Sequence, residues 1–175
     1  MRKVVATGSG MFALWERSAF SSVVDYKTWE SRLLDDSDVE NEIAAGRLVP
    51  INIHGDSVSE IEVRVGTQAN PALLSEREST YLTVSTPAPY LLRAQTVLHF
   101  GGIEHIHTDP VPETGSITVD AGEYQVQVHL IDWQQEPGMA NPDGSPNDGA
   151  LPDFVVILNP VGDPRPSRIT VNTFD

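Results

Sequence analysis

The stretch that decides the fold is YQVQVHL, Tyr124 to Leu130. Tyr124, Val126, Val128 and Leu130 alternate with Gln125, Gln127 and His129, a period of two that gives an extended chain one apolar and one polar face. The same alternation recurs on both sides of it. Upstream, Ile61, Val63 and Val65 alternate with Glu60, Glu62 and Arg64, which places the paired carboxylates Glu60 and Glu62 on a solvent face. Thr80 to Ser85 sets Tyr81, Thr83 and Ser85 against Leu82 and Val84. Met11 to Trp15, Arg47 to Ile53 and Tyr90 to Phe100 are apolar-rich runs, and Ile117 and Val119 flank Thr118. Downstream, Phe154 to Leu158 is apolar throughout, which predicts a strand covered on both faces. Ile169 and Val171 predict a last short strand. Roughly eight or nine such segments, broken by Gly, Pro, Asn and Asp, predict a mainly β fold. One apolar face per strand is buried most simply between two sheets. The expectation is a two-sheet antiparallel β-sandwich with one or two short helices, formed by residues 1–175 as a single domain.

Two segments break the alternation. Between Tyr26 and Ala45, the positions of Trp29, Leu33, Leu34, Val39, Ile43 and Ala44 fit a helix face. Ser37 or Asp38 is placed to cap a helix there and Gly46 to end it. Gln134 to Pro152 is rich in Pro, Gly, Asn and Asp and reads as a long, irregular surface loop.

The charge balance narrows the function. The chain carries 25 acidic and 11 basic residues, a formal net charge of −14. A polyanion repels phosphate backbones, which argues against direct binding of nucleic acid. It favours a basic protein partner, whose approach it accelerates. Part of the acidity is concentrated in the helical segment, at Glu30, Asp35, Asp36, Asp38, Glu40 and Glu42, and these are the candidate partner-binding residues. Cysteine is absent, so neither a disulfide nor a thiolate nucleophile enters the reading. Met1 to Gly10 lacks the apolar core of a signal peptide, and no run is long enough to span a bilayer. The expected setting is soluble and cytoplasmic, with no membrane contact.

Few constellations point to chemistry. His105 and His107, two apart, would share a face of a strand and could present two imidazoles to one metal. With Glu113 they partly match the cupin pattern, giving an alternative function as a metal-dependent β-barrel enzyme. The spacing to Glu113 is longer than that pattern requires, and His129 falls too late after Gly122 for its second half. The oxygen-rich run Asn141 to Gly149 lacks the ligand order and terminal Glu of a calcium loop. Gly8-Ser9-Gly10 lacks the lysine and following helix of a phosphate cradle. No serine sits in a nucleophile elbow, so no catalytic residue and no cofactor are assigned. Trp15, Trp29 and Trp133 read as packing residues.

Residue order adds one family likeness. Phe12 in an early strand, the Trp29 region, Ala44-Ala45-Gly46 leading into Pro50-Ile51-Asn52-Ile53, the apolar strand from Val97 to Phe100, and the turn Gly122-Glu-Tyr124 occur in sequence. In this order the chain resembles the competence protein J family, inhibitors of the DNA-entry nuclease. The resemblance implies a small acidic protein that neutralises a basic nuclease; together with the charge balance and the lack of a catalytic constellation, the expected function is an inhibitor or immunity protein that neutralises a basic nuclease or toxin. The 134–152 loop departs from the family, and no functional residue is carried over.

Overall fold

Ten strands in two sheets make up the computed structural model, which describes residues 1–107, 109, 111–162 and 166–174. The larger sheet runs β1 (Arg2–Thr7), β4 (Ser57–Val65), β10 (Phe154–Pro160) and β9 (Gly122–Ile131). Two short strands, β5 (Leu82–Ser85) and β6 (Tyr90–Ala94), share the far edge of β9. The smaller sheet runs β3 (Leu48–Asn52), β2 (Met11–Glu16), β7 (Val97–Gly102) and β8 (Gly115–Thr118).

The Tyr124–Leu130 alternation lands as expected in β9. Tyr124, Val126 and Val128 enter the inter-sheet core beside Phe12, Leu14, Leu92 and Phe100, with Leu130 packed against it. Phe12, Leu14, Phe20 and Phe100 are fully buried, each contributing about 2 kcal/mol through burial. Gly115 lies opposite Phe100 in the β7–β8 pair, where a side-chain carbon would sit 2.2 Å from the ring. That position is glycine because the phenyl group lies over it.

The other face of β9 is only partly polar, because the larger sheet carries a second layer. Segments 66–81 and 133–152 fold over it, and Ile131, Trp133, Leu151, Val155 and Ile157 form a second core with Leu74 and Tyr81. Val155 and Ile157 therefore face one core while Phe154, Val156 and Leu158 face the other, as the unbroken apolar run predicted.

Several expectations need correction. The sandwich is not wholly antiparallel: β10 runs parallel to β4 and antiparallel to β9. The central apolar strand satisfies both neighbours whichever way it runs, so apolarity alone does not fix direction. Tyr90 to Phe100 is two strands, and the chain crosses from one sheet to the other at Gln95 and Thr96. Glu16, buried at the end of β2, holds this crossing: it accepts from the backbone N–H of Gln95 at 2.8 Å and of Ser18 at 3.2 Å. Arg2–Thr7 is a strand the alternation did not reveal, since Val4 and Ala6 on it are exposed. The expected strand at Ile169 and Val171 is reduced to isolated bridges at Arg168 and Thr173. The 134–152 loop is not irregular throughout. It begins in a 3-10 turn, closes on a bridge between Ala140 and Pro146, and buries Ala150 and Leu151.

Helices fill the remaining connections: α1 (Tyr26–Leu33), α2 (Asp36–Ala44) and α3 (Glu76–Thr80). The α2 cap is Asp35, not Ser37 or Asp38, and its side chain makes no capping bond. Gly46 does end α2: its φ is +70°, and the N–H groups of Gly46 and Arg47 return to the carbonyls of Ile43 and Glu42 at 2.9 and 3.0 Å. This termination turns the chain into β3, and α2 packs against β3 and β6.

Candidate functional site

Where α1 and α2 meet the turn that follows β7, the surface opens into a cleft of about 640 Å³. Trp29, Leu33, Leu34 and Val39 supply the helical wall. Ile103, Glu104, Ile106 and His107 supply the opposite wall, and Met11 and Asn52 reach it from β2 and β3. Local rules fix the first wall. Asp25 caps α1 by accepting from the Thr28 N–H at 2.8 Å, while Thr28 Oγ1 accepts in return from the Asp25 N–H at 3.0 Å. A cap of this kind satisfies backbone N–H groups that the first turn of the helix leaves without an intrahelical partner. The hydrogen bonds from Thr28, its backbone N–H first, hold the Asp25 carboxyl below its ordinary range, so it stays ionised at the cleft mouth.

Two hydrogen bonds tie the walls together. Trp29 Nε1–H donates to the Ile103 carbonyl at 2.9 Å, and His107 Nε2–H donates to the Val24 carbonyl at 2.7 Å. His107 Nδ1 accepts from the Asp109 N–H at 3.2 Å, which assigns the proton to Nε2. Glu104, on the same wall, is internally satisfied: its carboxylate accepts from the Gly8 N–H at 2.7 Å and from Thr7 Oγ1 at 3.0 Å. Asp36 differs. It lies in the first turn of α2, is exposed, and has no hydrogen-bond or ion-pair partner among the described residues. Tyr26 stacks on Trp29, with ring centroids 6.0 Å apart and planes 18° from parallel, yet keeps 69% of its surface exposed. Leu34 and Val24 are also more than half exposed. The cleft thus combines an accessible aromatic stack, an apolar wall and two carboxylates, Asp25 and Asp36.

The six acidic candidates separate on this frame. Glu30, Asp35 and Asp36 are exposed, and Asp38 and Glu40 are half-buried. Only Asp36 lines the cleft. Glu42 is buried and faces inward, where Arg32 donates to it at 2.9 and 3.2 Å and Arg47 donates from the position just before β3. Burial alone would raise its pKa, but the bonds from Arg47 and Arg32 hold it below the ordinary value. Glu42 is therefore part of the helix–sheet joint and leaves the exposed set. Arg32 also covers the Phe20 ring at 4.6 Å. Asp25 was not among the candidates, although its Asp-x-x-Thr spacing is a readable capping signal.

The histidine pair does not have the geometry expected of it. His105 ends a 3-10 turn and His107 follows it, so they do not share a strand face. Both nitrogens of His107 are engaged in hydrogen bonds. No group of three or more metal-ligating side chains occurs among the described residues. Glu113 does not line the cleft, and the parallel pairing of β10 with β4 departs from the antiparallel jelly roll of a cupin.

A second carboxylate is held under α3. Glu78 is 1% exposed, pairs with Arg64 through both oxygens, and accepts from the Ser75 N–H at 2.7 Å. Burial pushes its pKa up, and Arg64 and Ser75 more than reverse that, to about 2.

The chain is similar in fold to the solved structure of "Crocagin biosynthetic gene J". The TM-score is 0.55 at 15% identity, covering 91% of this chain and 98% of that one. A second similar structure is ComJ, inhibitor of the DNA degrading activity of NucA, from Bacillus subtilis. There the TM-score is 0.49 at 10% identity, covering 92% of this chain and 96% of that one. No protein-family model and no curated protein matches the sequence. No helix among the described residues is long and apolar enough to cross a membrane.

Proposed function

We propose that the protein is an acidic binding module that captures a basic protein, a nuclease or toxin, at the cleft beside α1 and α2, and neutralises it. The observation that carries this reading is the cleft itself. It places exposed aromatic and apolar surface next to Asp25 and Asp36, neither of which pairs with a lysine or arginine among the described residues, while His107 on the opposite wall adds to the stabilisation of the Asp25 carboxylate. Aromatic rings surrounded by charge are the composition expected where a partner anchors. The net charge of −14 adds long-range attraction for a basic surface. The sequence resemblance to the competence protein J family supports a nuclease as the target. In this reading the 175 residues act as one soluble cytoplasmic domain that binds protein and not nucleic acid.

Calorimetry of the purified protein with a basic DNA-entry nuclease, alongside a DNA-cleavage assay, tests it. The expected result is a one-to-one complex that suppresses cleavage and weakens as salt is raised. Absence of binding at low salt, or an affinity indifferent to salt, would overturn the proposal.

A further inference from the structure

The cleft also carries information about which basic side chain it takes. Three features have to be satisfied together. The first is a planar aromatic surface, Tyr26 stacked on Trp29, with Tyr26 largely open to solvent. The second is an apolar wall from Leu33 and Leu34. The third is carboxylate at the mouth, Asp25 held by Thr28 and Asp36 without a partner among the described residues. Lys27, next to Tyr26 in sequence, does not line the cleft, whose only basic side chains among the described residues are His54 and His107.

A lysine would use only part of this. Its ammonium is a compact, strongly hydrated point charge that gains little from a flat ring beside it. A guanidinium is planar, weakly hydrated and stacks on aromatic faces, while its edge donates several N–H bonds to carboxylates. The three methylenes behind it suit an apolar wall. The chain shows the same chemistry internally: the Arg32 guanidinium lies over the Phe20 ring while donating to Glu42. We infer that the cleft is an arginine-recognition site, in which a guanidinium from a basic partner stacks on the exposed face of Tyr26 and donates to Asp36 and to the free oxygen of Asp25. The inference rests on the binding function proposed above and narrows it: the partner surface has to present an arginine on a protruding loop or terminus, because the cleft is recessed between two walls.

The hydrogen bonds of the cleft supply a local reporter. The Trp29 indole N–H is bonded to Ile103 at the cleft wall, whereas Trp15 and Trp133 are buried outside it. The test is NMR titration of the full-length protein with the capped tripeptide acetyl-Gly-Arg-Gly-amide, with the indole signal assigned from Trp29→Phe. Lysine and citrulline versions of the peptide run in parallel. The expected result is a saturable shift of the Trp29 indole with the arginine peptide. Binding of the lysine peptide should be at least about fivefold weaker, and the uncharged citrulline peptide should give no saturation. Tyr26→Ala and Asp36→Asn should each weaken the arginine peptide at least about fivefold while the remaining spectrum stays unchanged. Equal shifts from all three peptides, no saturation with arginine, or indifference to Tyr26→Ala would overturn the inference. The outcome separates from that of the wider function. If a DNA-entry nuclease binds but the arginine peptide does not, arginine recognition fails and the binding function stands. If the arginine peptide saturates the site but the nuclease does not bind, the partner is another arginine-presenting molecule.

Discussion

The joint beneath α2 and the pocket beneath α3 solve the same problem. Each buries one glutamate, Glu42 or Glu78, and each compensates it with arginine from a nearby strand or helix. Beyond that the two regions diverge. Around α3 the arginines also reach other acids: Arg64 bonds Glu62 at 2.8 Å, and Arg77 bonds Glu136 at 2.6 Å. Around α1 and α2, Arg32 and Arg47 pair with Glu42 and with no other carboxylate among the described residues, and Glu30, Asp35 and Asp36 remain exposed without ion pairs among them. The net charge of −14 therefore has two parts: one set of carboxylates belongs to the fold, and another is left available at the surface.

The largest expected effect comes from breaking a buried pair. Arg64→Met leaves Glu78 inside the protein without its cation and should cost about 3 kcal/mol in urea unfolding. Arg47→Met should cost less, about 1 kcal/mol, because Arg32 still holds Glu42. A loss as large as that of Arg64→Met would show that the two joints are not compensated as the geometry implies.

Acid acts on the buried groups in two steps. The Glu78 pKa is depressed to about 2 from 4.5. Its stabilisation is therefore complete above pH 4.5, where both folded and unfolded forms are ionised, and is lost as pH falls towards 2. The buried imidazoles of His99 and His129 act at higher pH. Burial lowers both below the ordinary 6.5, so the unfolded chain binds protons first and stability declines as pH falls below 6.5. Equilibrium unfolding followed from pH 8 to pH 3 should show a first decline starting near 6.5 and a second below 4.5. His99→Phe should reduce the first, and Arg64→Met the second. A flat profile between pH 7 and 5 would contradict the histidine assignment.

The smallest stability effect belongs to the exposed set. Asp36→Asn should shift unfolding by less than about 0.5 kcal/mol, as surface substitutions do. A larger loss would mean that Asp36 supports α2 and is not free for a partner.

How far the sequence reveals each region follows from what alternation encodes. A period of two reports which residues face the inter-sheet core, so β9, β4 and β10 were legible from Tyr124–Leu130, Ile61–Val65 and Phe154–Leu158. It does not report direction, which is why β10 beside β4 reads the same whether parallel or antiparallel. It also fails for β1, an edge strand whose Val4 and Ala6 face solvent. The acidic helical segment was legible as a cluster, but sequence could not separate Glu42, turned inward onto Arg32 and Arg47, from Asp36, turned outward. That distinction depends on arginines 10 positions before and 5 positions after Glu42. The cleft required Trp29, His107 and Ile103 to be brought together across about 70 to 80 residues of chain, which no local pattern encodes.

The most direct test compares one lost charge in each region. Asp36→Asn at the cleft and Glu76→Gln on exposed α3 change the net charge equally. Calorimetry of both variants with a basic DNA-entry nuclease at one salt concentration should show Asp36→Asn weakened about tenfold or more, about 1.4 kcal/mol, and Glu76→Gln unchanged. Equal weakening would mean that bulk charge, and not the cleft, carries binding.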